Sequence, residues 1–166
     1  MCNPCWIPDL MLPSNYTDFK HYYDAVYGVF HEDFVESHPV FEGQKVVIRR
    51  MPIENGREDA FYHVTCKDFL HTQDRQPDLR RCERIHWIRK FIENYKCENK
   101  DSDDCDGIKY WEAPYHNRKR VFLLSEEESY IVILEKRQDY ILLITAYYIE
   151  YDRNMDKLLN EWEKYR

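Results

Sequence analysis

Within the chain, His63, Thr65, Arg75, Arg80, Arg81, Arg84, Thr145 and Tyr147 are residues whose types suit the handling of a phosphate. An imidazole removes a proton near pH 7 and returns it once charged, a guanidinium grips two phosphate oxygens at once, and a hydroxyl donates to a third. The arginines are concentrated. Residues 75 to 90 hold six Lys or Arg against Asp78 and Glu83, a local +4, whereas the chain as a whole carries −7 and the remainder therefore −11. Such a balance excludes nonspecific attraction to nucleic acid as a global strategy. The arginines are either paired internally or gathered around one anion.

Helix periodicity separates them. Ile85, Ile88 and Ile92 fall within a sector about 60° wide on a helical wheel. Arg81 falls inside that sector and Arg84 beside it, while Arg80 and Arg89 lie outside. An inward guanidinium needs a partner, either a carboxylate such as Glu83 or a bound phosphate, because desolvating it alone is costly. With an anionic substrate as the intended partner, Arg81→Met is expected to keep the fold at parental stability or above.

"FYHVT", read as a strand with period-two alternation, puts His63 and Thr65 on one face. "LLITAYY" places Thr145 and Tyr147 together on one face of an otherwise aliphatic strand. Cleaving RNA through its own 2′-hydroxyl requires a base, a cation or donor at the nonbridging oxygens, and an acid at the departing 5′-oxygen. His63, Arg81, Arg84 and Tyr147 supply those roles, with Thr145 completing the catalytic set. No cluster of carboxylates of the kind that holds magnesium is evident, so a metal-free, cofactor-free reaction is expected. Thr65, Arg75, Arg80, Trp87 and Arg118 form the expected substrate-binding set. Trp87, Tyr110, Trp111 and Tyr115 are available either for base stacking or for the core.

These residues need a scaffold to position them. The 166 residues, 43% apolar and 16% aromatic, suffice for one domain. Phe19, Tyr22, Tyr23, Val26, Tyr27, Phe30 and Phe34 predict a helix from Thr17 to Glu36, with Ser14 or Thr17 as its N-cap. A strand over Lys45 to Arg50, a turn at Asn55-Gly56 and the strand "AFYHVT" are expected to pair antiparallel. Pro77-Asp78 opens a second helix reaching Lys96, and the acidic "CENKDSDDCDG" reads as a solvated loop. "VFLL", "YIVILEK" and "YILLITAYY" predict a three-stranded meander, and "DRNMDKLLNEWEKYR" a closing helix. The expected class is α+β with a mainly antiparallel sheet and packed helices. It comprises a helical part over about 14–36, a core over about 41–150 and a helix over about 152–166.

No stretch of about 18 apolar residues occurs, and "MCNPCWIPDLMLPS" lacks the basic and apolar segments of a signal peptide. A cytosolic protein with reduced thiols and no membrane association is expected. Cys2 and Cys5 form a CxxC, half a zinc site at most, and Cys97 and Cys105 have no standard metal spacing.

Taken in order, "FYHVT", "R.PDLRRCERI.WIR" and "YIVILEKR.DYILLITAYY" resemble the phage-associated branch of the BECR nucleases, the superfamily named for barnase, EndoU, colicin-type and RelE ribonucleases. The resemblance spans about Phe41 to Glu150. It implies a toxin-like, metal-independent ribonuclease with an antiparallel sheet and N-terminal helices on one face. It further implies RNA as partner, control by an antitoxin or immunity protein, and site positions at His63, Thr65, Arg75, Arg81, Arg84, Thr145 and Tyr147. The acidic insertion "ENKDSDDCDG" departs from that pattern. Two other readings compete: an ADP-ribosyltransferase in which the His63/Thr65 strand holds a dinucleotide and Glu135 or Glu150 orients the ribose, and a noncatalytic phosphate or nucleic-acid binding module. No base-reading motif distinguishes messenger, transfer or ribosome-bound RNA.

Overall fold

A computed structural model describes residues 6–68, 75–97 and 107–166. Cys2, Cys5, Cys105 and most of the acidic insertion lie outside the described residues. The fold is α+β, with a six-stranded, mostly antiparallel sheet in the order β1-β2-β8-β7-β6-β5. Its strands are β1 (Val40–Phe41), β2 (Gln44–Ile48), β5 (Lys109–Tyr115), β6 (Arg118–Ser125), β7 (Tyr130–Lys136) and β8 (Ile141–Tyr148), while β3 (Cys66–Asp68) and β4 (Arg75–Pro77) form a separate ribbon. The helices are α1 (Phe19–His31), α2 (Asp59–Thr65), α3 (Leu79–Glu83), α4 (Trp87–Glu93) and α5 (Asp152–Tyr165).

The expected first helix forms as α1 followed by one wider turn over Glu32–Glu36. Its cap is Asp18 instead of Ser14 or Thr17: the Asp18 carboxylate accepts the His21 backbone N–H at 2.8 Å, which satisfies an orphan donor of the first turn. Tyr22, Val26, Phe30 and Phe34 are buried as the aromatic periodicity requires.

"AFYHVT" is not a strand. It forms α2, in which every residue but His63 is buried, and the chain enters from beyond the end of β2, where Arg50 O and Arg49 O accept the Asp59 and Ala60 N–H groups. β2 pairs instead with β1, through a tight turn at Glu42-Gly43 with φ of 50° and 80°, and in parallel with the first half of β8. β2 ends at Ile48, and α2 packs beside the second half of β8. The Asn55-Gly56 turn forms as expected, bridged between Glu54 and Arg57.

The second helix is interrupted. α3 ends at Glu83, Arg84 leaves helical geometry with ψ 20°, and α4 begins at Trp87. Arg84 N bonds Arg81 O, and the freed Arg80 carbonyl accepts from the Arg84 side chain at 2.9 Å. The meander forms as expected, and "KYWEAPY" adds β5 at its edge.

Alternation gives the sheet two different faces. Val121, Leu123, Tyr130, Val132, Leu134, Ile141, Leu143, Ala146 and Tyr148 pack against α1, α2, α3 and α4 in the main core. The opposite face is built in rows by cross-strand pairing: Trp111–Phe122–Ile133–Thr145, and beside it Ala113–Arg120–Glu135–Leu142. Alternation keeps Thr145 and Tyr147 on one face, as the sequence indicates, and a bulge at Ile144 in β8 turns that pair to this second face. Met155, Leu158, Leu159 and Trp162 of α5 cover one half of it. The other half carries the charges.

Candidate active site

α2 and β8 meet where their polar groups need one another. The last carbonyls of α2 have no partner within so short a helix. Thr145 Oγ1 donates to His63 O at 2.9 Å, and the Arg81 guanidinium, reaching over from α3, donates through Nη1 to Cys66 O at 2.7 Å and His63 O at 3.2 Å. The positive group lies at the negative end of the helix dipole, a favourable pairing. Asp78 stands farther off, 4.0 Å from Arg81 Nε, and the Tyr147 ring lies beneath the guanidinium with its centroid 5.4 Å from Cζ. Burial pushes the Tyr147 phenol above its ordinary pKa, with Arg81 opposing that shift. Arg81 therefore has inward partners that the wheel did not indicate, a set of backbone carbonyls, with the Asp78 carboxylate beside them. Its Nε is buried without a hydrogen-bond partner.

Beside this cap, His63 projects outward with 45% of its side chain exposed, and its Nε2 lies 3.1 Å from Asp59 Oδ2 one helical turn earlier. The Asp59 carboxylate is 5% exposed, and its other oxygen accepts from Arg75 at 2.8 Å. A buried carboxylate thus holds an imidazole and a guanidinium together. With Nε2–H donating to Asp59, Nδ1 is left as the acceptor of the ring. Tyr62, His63, Cys66, Lys67, Arg75, Arg81 and Thr145 line a cleft of about 300 Å³ at this point. A second cleft of about 340 Å³ shares His63 and Thr145 and continues over the second face of the sheet past Arg49, Leu142, Ile144 and Arg120. Burial opposes the charge of Lys67, but its bonds to Glu150 and to Asp78 at 3.1 Å outweigh burial and hold its pKa above the usual range.

His63, Arg75, Arg81 and Thr145 are thus brought together, and Tyr147 supports Arg81 from beneath. Thr65 is not on the His63 face: it is 0% exposed, donates to Phe61 O at 2.8 Å and shares a hydrogen bond with the Tyr23 hydroxyl at 2.9 Å. Two residues apart is the same face on a strand and 200° around on a helix. Arg84 also departs, stacking on Tyr148 and Trp87 at 4.5 and 5.1 Å on the main-core side, with Arg80 over the same Tyr148. Trp87 is core, its indole N–H donating to Pro8 O at 2.9 Å, and Trp111 is buried as well, while Tyr110 and Tyr115 remain exposed. Arg118 lies at the far end of the second face.

Asp59 escaped the sequence reading. Its signal was the Asp59–His63 spacing of four, which carries meaning only once the segment is read as a helix. Among the described residues no group of three or more His, Cys, Asp or Glu side chains is arranged to hold a metal ion, and no helix is long and apolar enough to cross a membrane. No family model, curated protein or solved structure matches the chain.

Proposed function

We propose that the chain is a toxin-type, metal-independent endoribonuclease of BECR-like architecture, cleaving RNA by attack of a 2′-hydroxyl on the adjacent phosphate at the His63 cleft. The carrying observation is the buried Asp59 carboxylate, which holds His63 and Arg75 side by side at a cleft also lined by Arg81 and Thr145. His63 takes the 2′-hydroxyl proton, and Asp59 fixes the ring that does so. Arg75 and Arg81 receive the nonbridging oxygens as their charge grows, while the departing 5′-oxygen is protonated from the solvent that reaches this open cleft. The mostly antiparallel sheet, with α1 to α4 on one face and the His63 cleft opening onto the other beside α5, supports the likeness in architecture. The ADP-ribosyltransferase alternative rested on a strand carrying His63 and Thr65 together, and α2 occupies that segment. A dedicated antitoxin or immunity partner and a cytosolic location follow from the same proposal.

The test is incubation of purified protein with single-stranded RNA in EDTA, with mapping of the ends. Cleavage leaving 2′,3′-cyclic phosphates is expected, reduced about 10²- to 10⁴-fold in His63→Ala with binding retained. Absence of cleavage with RNA retained would favour the noncatalytic reading, and cleavage that required added magnesium would overturn metal independence.

A further inference from the structure

The second face of the sheet holds another buried carboxylate with cationic partners, which the mechanism above leaves unused. Glu135 is 4% exposed and is met by Arg120 Nε at 3.0 Å, Arg137 Nε at 2.9 Å and Arg118 Nε at 3.8 Å. Arg120 and Glu135 are direct cross-strand partners on β6 and β7, so the pair is set by register. One carboxylate among three guanidinium groups leaves two formal positive charges in excess. Of the three, only Arg120 hydrogen-bonds the carboxylate, through Nε; Arg118 and Arg137 are ion-paired by proximity, and Arg137 Nε is buried without a hydrogen-bond partner, so the terminal nitrogens are left for a second acceptor. The Arg120 guanidinium lies over the Tyr115 ring, with Cζ 3.5 Å from its centroid.

This cluster lies between two clefts. Arg120 lines the one it shares with His63, while Arg118 and Arg137 line a further cleft of about 560 Å³ with Lys119, Lys136, Asp139 and Tyr140. Lys136 is already engaged by Glu42 and Glu112 at 2.9 Å each, which leaves the arginines around Glu135, with Lys119 beside them, as the cations that can take an anion. A path of alternating cations thus runs from the His63 cleft over Arg120 to the hairpin ends.

We propose that the Glu135–Arg118–Arg120–Arg137 cluster is a second phosphate subsite, which receives the phosphate next to the one at His63 and makes the substrate a single strand with at least two phosphates. The proposal rests on the ribonuclease reading for its substrate, while its binding geometry stands on the cluster itself. Glu135 is a positioning residue here, holding the arginines with their outer edges toward the ligand.

Two measurements test it. The first compares cleavage of a ribodinucleotide with that of the same dinucleotide bearing one extra terminal phosphate, on the 5′ or the 3′ side. The extra phosphate is expected to raise kcat/KM roughly tenfold on one side, as one charge-assisted contact does. That gain should fall to about one in Arg118→Gln and Arg137→Gln. The second follows binding of a non-cleavable 2′-deoxy trinucleotide against salt. Each variant should flatten the dependence of log K on log salt by about 0.7, the loss of one phosphate contact to a single strand. Equal gains and equal slopes in parent and variants would overturn the subsite and leave the ribonuclease reading intact. A parent that cleaves neither substrate yet shows the steeper slope would overturn the ribonuclease reading and leave the subsite standing.

Discussion

Two arginine clusters in this protein solve the same problem with different partners. At the α2 terminus, Arg81 hydrogen-bonds neutral carbonyls and has the Asp78 carboxylate 4.0 Å from its Nε, at the edge of ion-pair range, so its charge is only weakly offset. At the hairpin ends, Arg118, Arg120 and Arg137 converge on the single charged group Glu135. Carbonyl dipoles hold a cation without cancelling it, whereas a carboxylate holds and partly cancels. The first arrangement suits a site where negative charge develops during reaction, and the second suits one that binds a standing charge.

Removing the holding group should separate the two. Glu135→Ala leaves three guanidinium groups around an empty, buried position, and is expected to destabilise the fold by about 3 to 5 kcal/mol in urea unfolding. A loss below 1 kcal/mol would mean that the arginines disperse into solvent and were never confined.

Arg81→Met tests the other side. The wheel alone points to stability at or above the parent, but Cys66 O loses its side-chain donor while His63 O keeps only Thr145, so a loss of about 1 to 3 kcal/mol is expected. Cleavage per folded molecule should fall by roughly 10²-fold or more. A fully active folded fraction would make Arg81 a cap alone.

Asp59→Asn keeps the shape of the carboxylate and removes its charge. The bonds to His63 and Arg75 weaken, and RNA cleavage should drop about tenfold or more while RNA binding changes little, checked by single-turnover rates beside a binding titration. Equal rates in parent and variant would show that the ring needs no such support.

The smallest effect belongs to Asp33, outside both clusters. Burial raises its carboxyl to about 6, with Arg89 only partly opposing. A folded-state pKa above the ordinary value of about 3.9 means that protonation favours the fold. Its contribution is therefore complete below about pH 4 and lost as the pH rises through about 6. Asp33→Asn should be more stable than the parent at pH 7 and equal to it at pH 4, as read from urea midpoints. A difference independent of pH would assign the effect to packing.

Sequence pattern was sufficient for α1 and α5, whose apolar residues recur with a helical period, for the three-stranded meander, whose strands are uninterrupted β-branched and aromatic runs, and for the shared face of Thr145 and Tyr147. It was insufficient for "DAFYHVT", seven residues in which aromatic and branched side chains fit a strand by type while tertiary packing makes them a helix. That one switch moved Thr65 into the core and brought Asp59 under His63. The break at Arg84 likewise sent it to the opposite side of the sheet from the cleft. The residue types alone determined that a phosphate-handling set of imidazole, guanidinium and hydroxyl groups exists in this chain. Which members converge, and whether an arginine meets a carbonyl or a carboxylate, was decided by tertiary structure, because those partners lie 15 to 18 residues apart in sequence and only the fold's register brings them within hydrogen-bond reach.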